Sequence, residues 1–151
     1  MKNNNGITLI AVIMTVILLS ILAGLGINYG IESYNSSKVV KFESYMKVIQ
    51  KKVDILVEEK VDYTSLGTTL SSTQKNKLKA IIDEDSNVET TKEVVDTETK
   101  LRYFSSSDIK KYFEIEDVVD EIVVNFANRE VISLNGIEKD ETMIYVEAGL
   151  Y

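Results

Sequence analysis

The sequence predicts an α+β fold in which a long N-terminal helix packs on a small C-terminal antiparallel sheet. Three patterns support this prediction. An uncharged apolar run extends from residue 7 to residue 27, an apolar stripe of helical period continues to residue 56, and β-branched segments separated by turn residues occupy the last third. At 151 residues, the chain has room for one ordinary domain besides a membrane segment.

The apolar run, Ile7 to Ile27, is predicted to be a transmembrane helix, because crossing about 30 Å of hydrocarbon takes roughly 20 helical residues. A buried core helix is usually shorter, and a cleaved secretory signal also has a shorter apolar region. Lys2 precedes the run, whereas the first charge after it is Glu32, and all 24 acidic residues follow it. The distribution of basic residues therefore predicts a single-pass protein with a cytoplasmic N-terminus and an extracytoplasmic body.

Residues 28–61 are predicted to continue the same helix as an amphipathic segment that ends near Val61. Its apolar residues are spaced by three and four positions, which places them on one helical face. They are Val39, Phe42, Met46, Ile49, Val53 and Leu56. We expect this face to pack on the chain's own sheet rather than on a ligand.

Residues 62–151 are predicted to form an extracytoplasmic globular α+β head. In its first half, Ser and Thr residues ahead of apolar positions indicate capped short helices, and β-branched or aromatic pairs indicate strands. The expected elements are a helix from Gln74 to about Glu84 capped by Ser72 or Thr73, a short strand at Val94-Val95, a strand at Leu101–Phe104, and a helix starting at Ser107-Asp108 with Ile109, Tyr112 and Phe113 on one side.

The last third of the head is predicted to be a meander of strands, because β-branched and aromatic residues alternate with turn signals. The expected strands are Glu121 to Phe126, Glu130 to Leu134, and Thr142 to Glu147. Ala127-Asn128-Arg129 supplies the first turn, and Asn135-Gly136 is a favoured dipeptide for the second.

The composition excludes several function classes. Cysteine and histidine are both absent, which removes disulfides, thiolate nucleophiles, imidazole bases and the usual zinc ligands. No arrangement of the remaining reactive side chains indicates catalysis, so we expect no enzymatic activity. The net charge of −7 argues against nucleic acid as a partner, because the phosphate backbone would be repelled over most of the surface.

The first ten residues, Met1-Lys2-Asn3-Asn4-Asn5-Gly6-Ile7-Thr8-Leu9-Ile10, resemble the prepilin leader of type IV pilins and of the pseudopilins of type II secretion and competence systems. The resemblance implies that residues 1–6 are a leader peptide, that a prepilin peptidase cuts between Gly6 and Ile7, and that the new amine of Ile7 is methylated. It also implies a pilin-like fold and assembly into a filament through the residues that open the apolar helix. Those assembly residues are Ile7, Thr8, Leu9, Ile10 and Ala11.

The partners implied by this resemblance are the prepilin peptidase, other pilin or pseudopilin subunits, the inner-membrane assembly platform and membrane lipid. Two features depart from the family pattern. Ala11 occupies the fifth mature position, where the family usually has Glu, and the chain contains no proline. Inserting a carboxylate into hydrocarbon costs about 2.5 to 3.5 kcal/mol of free energy unless it is paired with a cation. Ala11 can form no such ion pair. Tip-type pseudopilins also lack this Glu, so we expect a minor or tip subunit in preference to a major one.

A candidate metal site consists of Glu138, Asp140 and Glu141. Oxygen-rich loops can hold calcium, and major pseudopilins, which the N-terminus resembles, carry a calcium-binding C-terminal loop. The spacing of these carboxylates matches no defined calcium motif, and solvated acidic loops are the ordinary interpretation. We therefore expect no cofactor, with calcium as the one exception.

The sequence thus predicts a structural subunit of a type IV pilus or pseudopilus that is stored in the membrane and assembled by helix packing. The alternative is an uncleaved single-span protein at the cell surface, whose outer domain binds a ligand or a surface. Pili, secretion pseudopili and competence pseudopili share one subunit design, and all three remain open.

Overall fold

A computed structural model describes the backbone of residues 5–150 and the side chains of residues 15, 16, 34–147 and 149. The chain divides into two compact units, Met1–Lys38 and Val39–Tyr151. The helices are α1 (Asn5–Glu58), α2 (Ser72–Glu84), α3 (Lys92–Thr97) and α4 (Ser106–Phe113), with 3₁₀ turns at Tyr63–Ser65 and Glu147–Leu150. The strands are β1 (Leu101–Phe104), β2 (Ile122–Asn125), β3 (Glu130–Ser133), β4 (Ile137–Lys139) and β5 (Thr142–Ile144).

In the first unit, the backbone of α1 is helical from Asn5 onward. The predicted transmembrane segment, residues 7–27, lies in this unit, and apart from Thr15 and Val16 its side chains are outside the described residues. Within the described part of the chain, no helix combines the length and the apolar character that crossing a membrane requires.

In the second unit, the apolar stripe of α1 packs on an antiparallel sheet, which confirms the predicted α+β arrangement and the predicted face of the helix. Phe42, Met46, Ile49 and Val53 are buried, and Val39 and Leu56 are half-buried. The side chains that meet this stripe come from the sheet and from α4. They include Phe104, Ile109, Phe113, Ile122, Val124 and Val131.

The sheet has the strand order β1-β2-β3, with both pairs antiparallel. Strand β2 is central, and its side chains alternate between two apolar layers because successive residues of a strand point to opposite faces. Ile122 and Val124 belong to the layer under α1 and α4, whereas Val123 lies in a second layer with Leu78 of α2 and Val95 of α3. Helices therefore cover both faces of the sheet.

Strand β1 is confirmed with its predicted ends, and the β2–β3 hairpin, α2 and α4 are confirmed with shifted ends. Strand β1 occupies Leu101–Phe104 as predicted, and the β2–β3 hairpin turns at residues 127–129, where Arg129 has φ 65°. Helix α2 begins at Ser72 because Ser71 caps it: its hydroxyl accepts from the Gln74 amide, and the Gln74 side chain accepts from the Ser71 amide. Helix α4 starts one residue earlier than predicted, with Ser105 as its N-cap.

Two predictions for the head are wrong. Val94-Val95 lies in helix α3 and not in a strand, because the Thr91 side chain caps this helix and Val95 is buried against α2 and the sheet. The last predicted strand ends at Ile144 and pairs with β4, which the sequence did not predict. The last third is therefore a β2–β3 hairpin and a separate β4–β5 hairpin, not one meander.

Helix α1 ends at Glu58, three residues before the predicted position, in a turn closed by two backbone hydrogen bonds. The Val61 amide donates to the Leu56 carbonyl at 3.1 Å, and the Lys60 amide donates to the Val57 carbonyl at 3.2 Å. This pair of bonds is the Schellman motif, whose C′ residue adopts a left-handed conformation. That residue is Lys60, with φ 53°.

We expect Lys60→Gly to raise the free energy of unfolding of the head by about 0.5 to 1 kcal/mol, because glycine adopts positive φ without a steric cost. Chemical denaturation of the full chain in detergent, followed by tyrosine fluorescence, measures this change. The matched control is Lys51→Gly, which places the same substitution on the exposed side of the helix interior and is expected to lower stability by about 1 kcal/mol. A loss of stability in both variants would contradict the capping role of position 60.

Candidate functional site

The predicted processing junction and the predicted assembly residues lie at the start of α1. Their backbone is helical, but the side chains of Gly6, Ile7, Thr8, Leu9, Ile10 and Ala11 are outside the described residues. The structure therefore places these positions on one continuous helix and leaves their contacts as a prediction.

The predicted acidic site lies in the β4–β5 hairpin. Glu138 is exposed in β4, and Asp140 and Glu141 form the turn with φ values of 52° and 65°. Positive φ at both central residues defines a type I′ turn, which Asp tolerates better than most residues. Among the residues that the structure describes, no group of three or more acidic side chains is arranged to hold a metal ion. The turn geometry alone accounts for the position of these carboxylates.

Arg102 is a buried cation that the sequence did not single out. Its side chain in β1 is only 8% exposed, and its guanidinium donates to three carbonyl groups of the loop between α1 and α2. Nε donates to the Leu66 oxygen at 2.8 Å, and Nη2 donates to the oxygens of Thr64 at 3.1 Å and Gly67 at 3.0 Å. The planar donor fork of arginine suits this arrangement. Arg102 therefore holds the loop against the sheet.

A second, partly buried polar contact joins α1 to the loop ahead of β2. The Tyr45 hydroxyl donates to Oδ2 of Asp120 at 2.6 Å, and the Glu121 amide donates to Oδ1 at 2.7 Å. Burial, followed by the negative charge of Asp120, raises the pKa of Tyr45 well above its usual value. The hydroxyl stays protonated and acts as a structural donor.

The other phenols with raised pKa values make similar contacts. The Tyr103 hydroxyl donates to Glu121 at 2.7 Å, and burial together with this bond raises the pKa of Tyr103 to about 12. The Tyr145 hydroxyl donates to Glu84 at 3.0 Å, and its pKa is also raised, chiefly by burial. Each shift has a structural cause, and each makes the phenol a poorer acid.

One surface groove has a volume of about 360 Å³, and polar side chains in its lining have partners within the fold. The Gln50 amide donates to the Arg129 carbonyl at 2.7 Å, and the Asn87 amide donates to Asp85 at 2.8 Å. The Glu130 carboxylate accepts from the backbone amides of Glu89 at 2.6 Å and Thr90 at 2.7 Å. These groups connect loops to β3, and their arrangement does not require a ligand.

A smaller groove at the C-terminal end of α1 has a different character. We call it the α1-end groove, and its volume is about 240 Å³. It is lined by Leu56, Val57, Lys60, Val61, Tyr63, Lys100 and Phe126. The rings of Tyr63 and Phe126 stack at 6.0 Å, and no carboxylate in the described part of the chain pairs with the ammonium groups of Lys60 or Lys100. The groove is therefore apolar inside and cationic at its rim.

The most exposed large apolar side chain among the described residues is Val119, at 93%. It lies in the loop between α4 and β2, after Glu116 and Asp117, while its neighbour Val118 is buried. We call residues 116–119 the acidic knob. The sequence did not predict the knob or the groove as sites, because the groove assembles from three distant segments and a lone valine gives no pattern.

We expect Arg102→Met to lower the free energy of unfolding by about 3 kcal/mol, because three carbonyl groups of the loop lose a charged donor. Protease cleavage within residues 62–69 should become faster in the same variant. Denaturation and limited proteolysis measure the two effects. Arg129→Met is the matched control: its guanidinium makes only exposed ion pairs at 3.6 and 4.0 Å, so the expected loss is below about 1 kcal/mol. Equal losses in both variants would contradict the role of Arg102.

The raised pKa of Tyr45 predicts alkaline sensitivity. A pKa that is higher in the folded state than in the unfolded state stabilises the fold below pH 10, and this contribution is lost as the pH rises above it. We expect Tyr45→Phe to reduce the fall of unfolding free energy between pH 10 and 12 by about 1.4 kcal/mol per pH unit. Urea denaturation at several pH values measures the slope. A slope that is the same in Tyr45→Phe as in the native chain would contradict this assignment.

Comparison of the chain with protein-family models, with curated proteins and with solved structures finds no significant match. The described geometry and the sequence of the chain are therefore the basis on which its function is inferred.

Proposed function

We propose that the chain is a structural subunit of a type IV pilus or pseudopilus. In this proposal a prepilin peptidase removes residues 1–6, Ile7 becomes the mature N-terminus, and the apolar helix packs against the helices of other subunits. The observation that carries the proposal is the Gly6-Ile7 junction, which stands directly before an uncharged apolar run and behind a short basic leader.

The position of the junction gives this proposal its mechanism. A cut before the apolar run keeps the helix in the mature protein, whereas a secretory cut after the run would remove it. The retained helix serves first as a membrane anchor and then as an assembly element. No chemical step by the chain itself is needed, and we propose neither an enzymatic activity nor a cofactor.

The described head is compatible with this role. The last part of helix α1 is fixed to the sheet of the head by the buried stripe around Met46, Ile49 and Val53. The head would lie outside the cytoplasm before assembly and on a cell-surface filament after it.

We further propose a minor or tip role, which rests on Ala11. A carboxylate at this position could pair with the amine of a neighbouring subunit and set the register between helices. Alanine has no charge, so membrane insertion is easier and this source of register is lost. The partners remain the prepilin peptidase, other subunits, the inner-membrane assembly platform and membrane lipid.

We expect Gly6→Leu to block removal of the leader, because a bulky residue replaces glycine at the position before the cut. Mass spectrometry of the N-terminus, on chain isolated from host membranes, measures the outcome. Methylated Ile7 is expected in the native chain, and an intact leader in the variant. Asn5→Leu, one residue earlier, is the matched control and should still be cut.

An intact leader in the native chain would contradict the proposal. It would favour the alternative, an uncleaved single-span surface protein with a binding domain.

A further inference from the structure

We infer that the acidic knob of one copy binds the α1-end groove of a second copy of this chain. The inference extends the proposed function, on which it rests, by naming a contact between the heads of neighbouring subunits. It depends on four properties of the head: a rigid exposed valine, an unfilled apolar groove, opposite charge, and the placement of the two surfaces at opposite ends.

The knob is held rigidly although Val119 is exposed. On one side of Val119, the Lys41 ammonium donates to the Asp117 carbonyl at 2.8 Å. On the other side, the carboxylate of Asp120 is fixed by the Tyr45 hydroxyl at 2.6 Å. The loop is thus tied to α1 before and after the valine. A preordered apolar side chain loses little conformational freedom on binding.

The groove offers a complementary surface. Its floor is apolar, since Phe126 is only 7% exposed and stacks on Tyr63, and its volume of about 240 Å³ can admit a valine side chain. The two lysines at its rim have no acidic partner among the described residues. A ligand that fits must therefore present a small apolar group next to negative charge.

The knob presents this combination. Asp117 is exposed, and no cation in the described part of the chain pairs with its carboxylate. Glu116 is 72% exposed at its side chain and makes only a surface pair with Lys110 at 3.1 Å. Complementary charges of this kind select a partner and its orientation.

The knob and the groove lie at opposite ends of the same two elements. Along α1, Lys41 contacts the knob and Leu56 lines the groove, a separation of roughly 20 Å at the helical rise. Along β2, Val119 precedes the strand and Phe126 follows it, which again amounts to roughly 20 Å. A copy cannot fill its own groove across this distance, so the knob can reach only the groove of another copy.

A contact between two different patches of the same chain is heterologous, and when repeated it either closes a ring or continues as an open filament. In parallel copies displaced along α1, the groove end of one head meets the knob end of the next. Two adjacent copies suffice for one such contact. The contact would also fix the position of one subunit along the filament axis relative to the next, which Ala11 cannot do because it carries no charge.

Disulfide trapping between two single-cysteine chains tests this contact, because the native chain contains no cysteine. A tagged full-length chain carrying Val119→Cys is mixed in detergent with an untagged chain carrying Val61→Cys. Detergent is required because copies in one bilayer share the same height and cannot be displaced along the helix axis. In the control mixture, the untagged chain carries Val48→Cys, at an exposed position of α1 outside the groove.

We expect roughly tenfold more mixed disulfide from the knob–groove pair than from the control pair. Glu116→Lys with Asp117→Lys in the tagged chain should remove most of this excess, and so should Lys60→Glu with Lys100→Glu in the untagged chain. Combining the two charge reversals should restore it. Equal yields from the knob–groove and control pairs, or yields unaffected by the reversals, would overturn the inference.

The same preparations keep this result separate from the proposed function. Leader removal is read from the N-terminal mass of chain isolated from its host, and it does not depend on contacts between heads. A methylated Ile7 with no excess disulfide would overturn the head contact alone. An intact Met1 with excess disulfide would overturn the pilin proposal and leave contact between copies established.

Discussion

Ile122, Val123 and Val124 are fully buried, although successive side chains of β2 point to opposite faces of the sheet. A central strand that is apolar on both faces requires a cover on each side, as in sheets flanked by helices. Helices α1 and α4 supply one cover, and α2 and α3 supply the other. Because both faces need a cover, each helix of the head packs on one face of the sheet or on the other.

The loops between these layers are held by charged and polar side chains that bond to backbone groups. Arg102 binds three carbonyls of the α1–α2 loop, Glu130 accepts from two amides ahead of α3, and Lys41 binds a carbonyl of the knob. Such contacts satisfy backbone groups that have no partner in a helix or a sheet. They also explain why a head without disulfides or proline can keep its connections ordered.

Local patterns in the sequence were sufficient for the elements that depend on period and turn chemistry. The stripe from Val39 to Leu56, strand Leu101–Phe104 and the hairpin around residues 127–129 are confirmed. The strand prediction for Val94-Val95 is wrong because burial against α2 and the Thr91 cap outweigh the strand preference of valine. Strand β4 has a mixed, half-exposed pattern, and nothing local identifies it as a partner for β5. The knob and the groove could not be predicted, since a lone exposed valine gives no sequence pattern and the groove is lined by residues from three distant segments.

Lys60 both ends helix α1 and lines the α1-end groove. Its left-handed backbone terminates α1 in a conformation where glycine would be more stable, and its ammonium group stands at the rim of the groove. Glycine at position 60 would stabilise the helix end and would remove one of the two positive charges at the rim of the groove. Selection for stability alone would favour that exchange, whereas selection for recognition would oppose it. A lysine at this position therefore costs the helix end some stability while it keeps a positive charge at the groove.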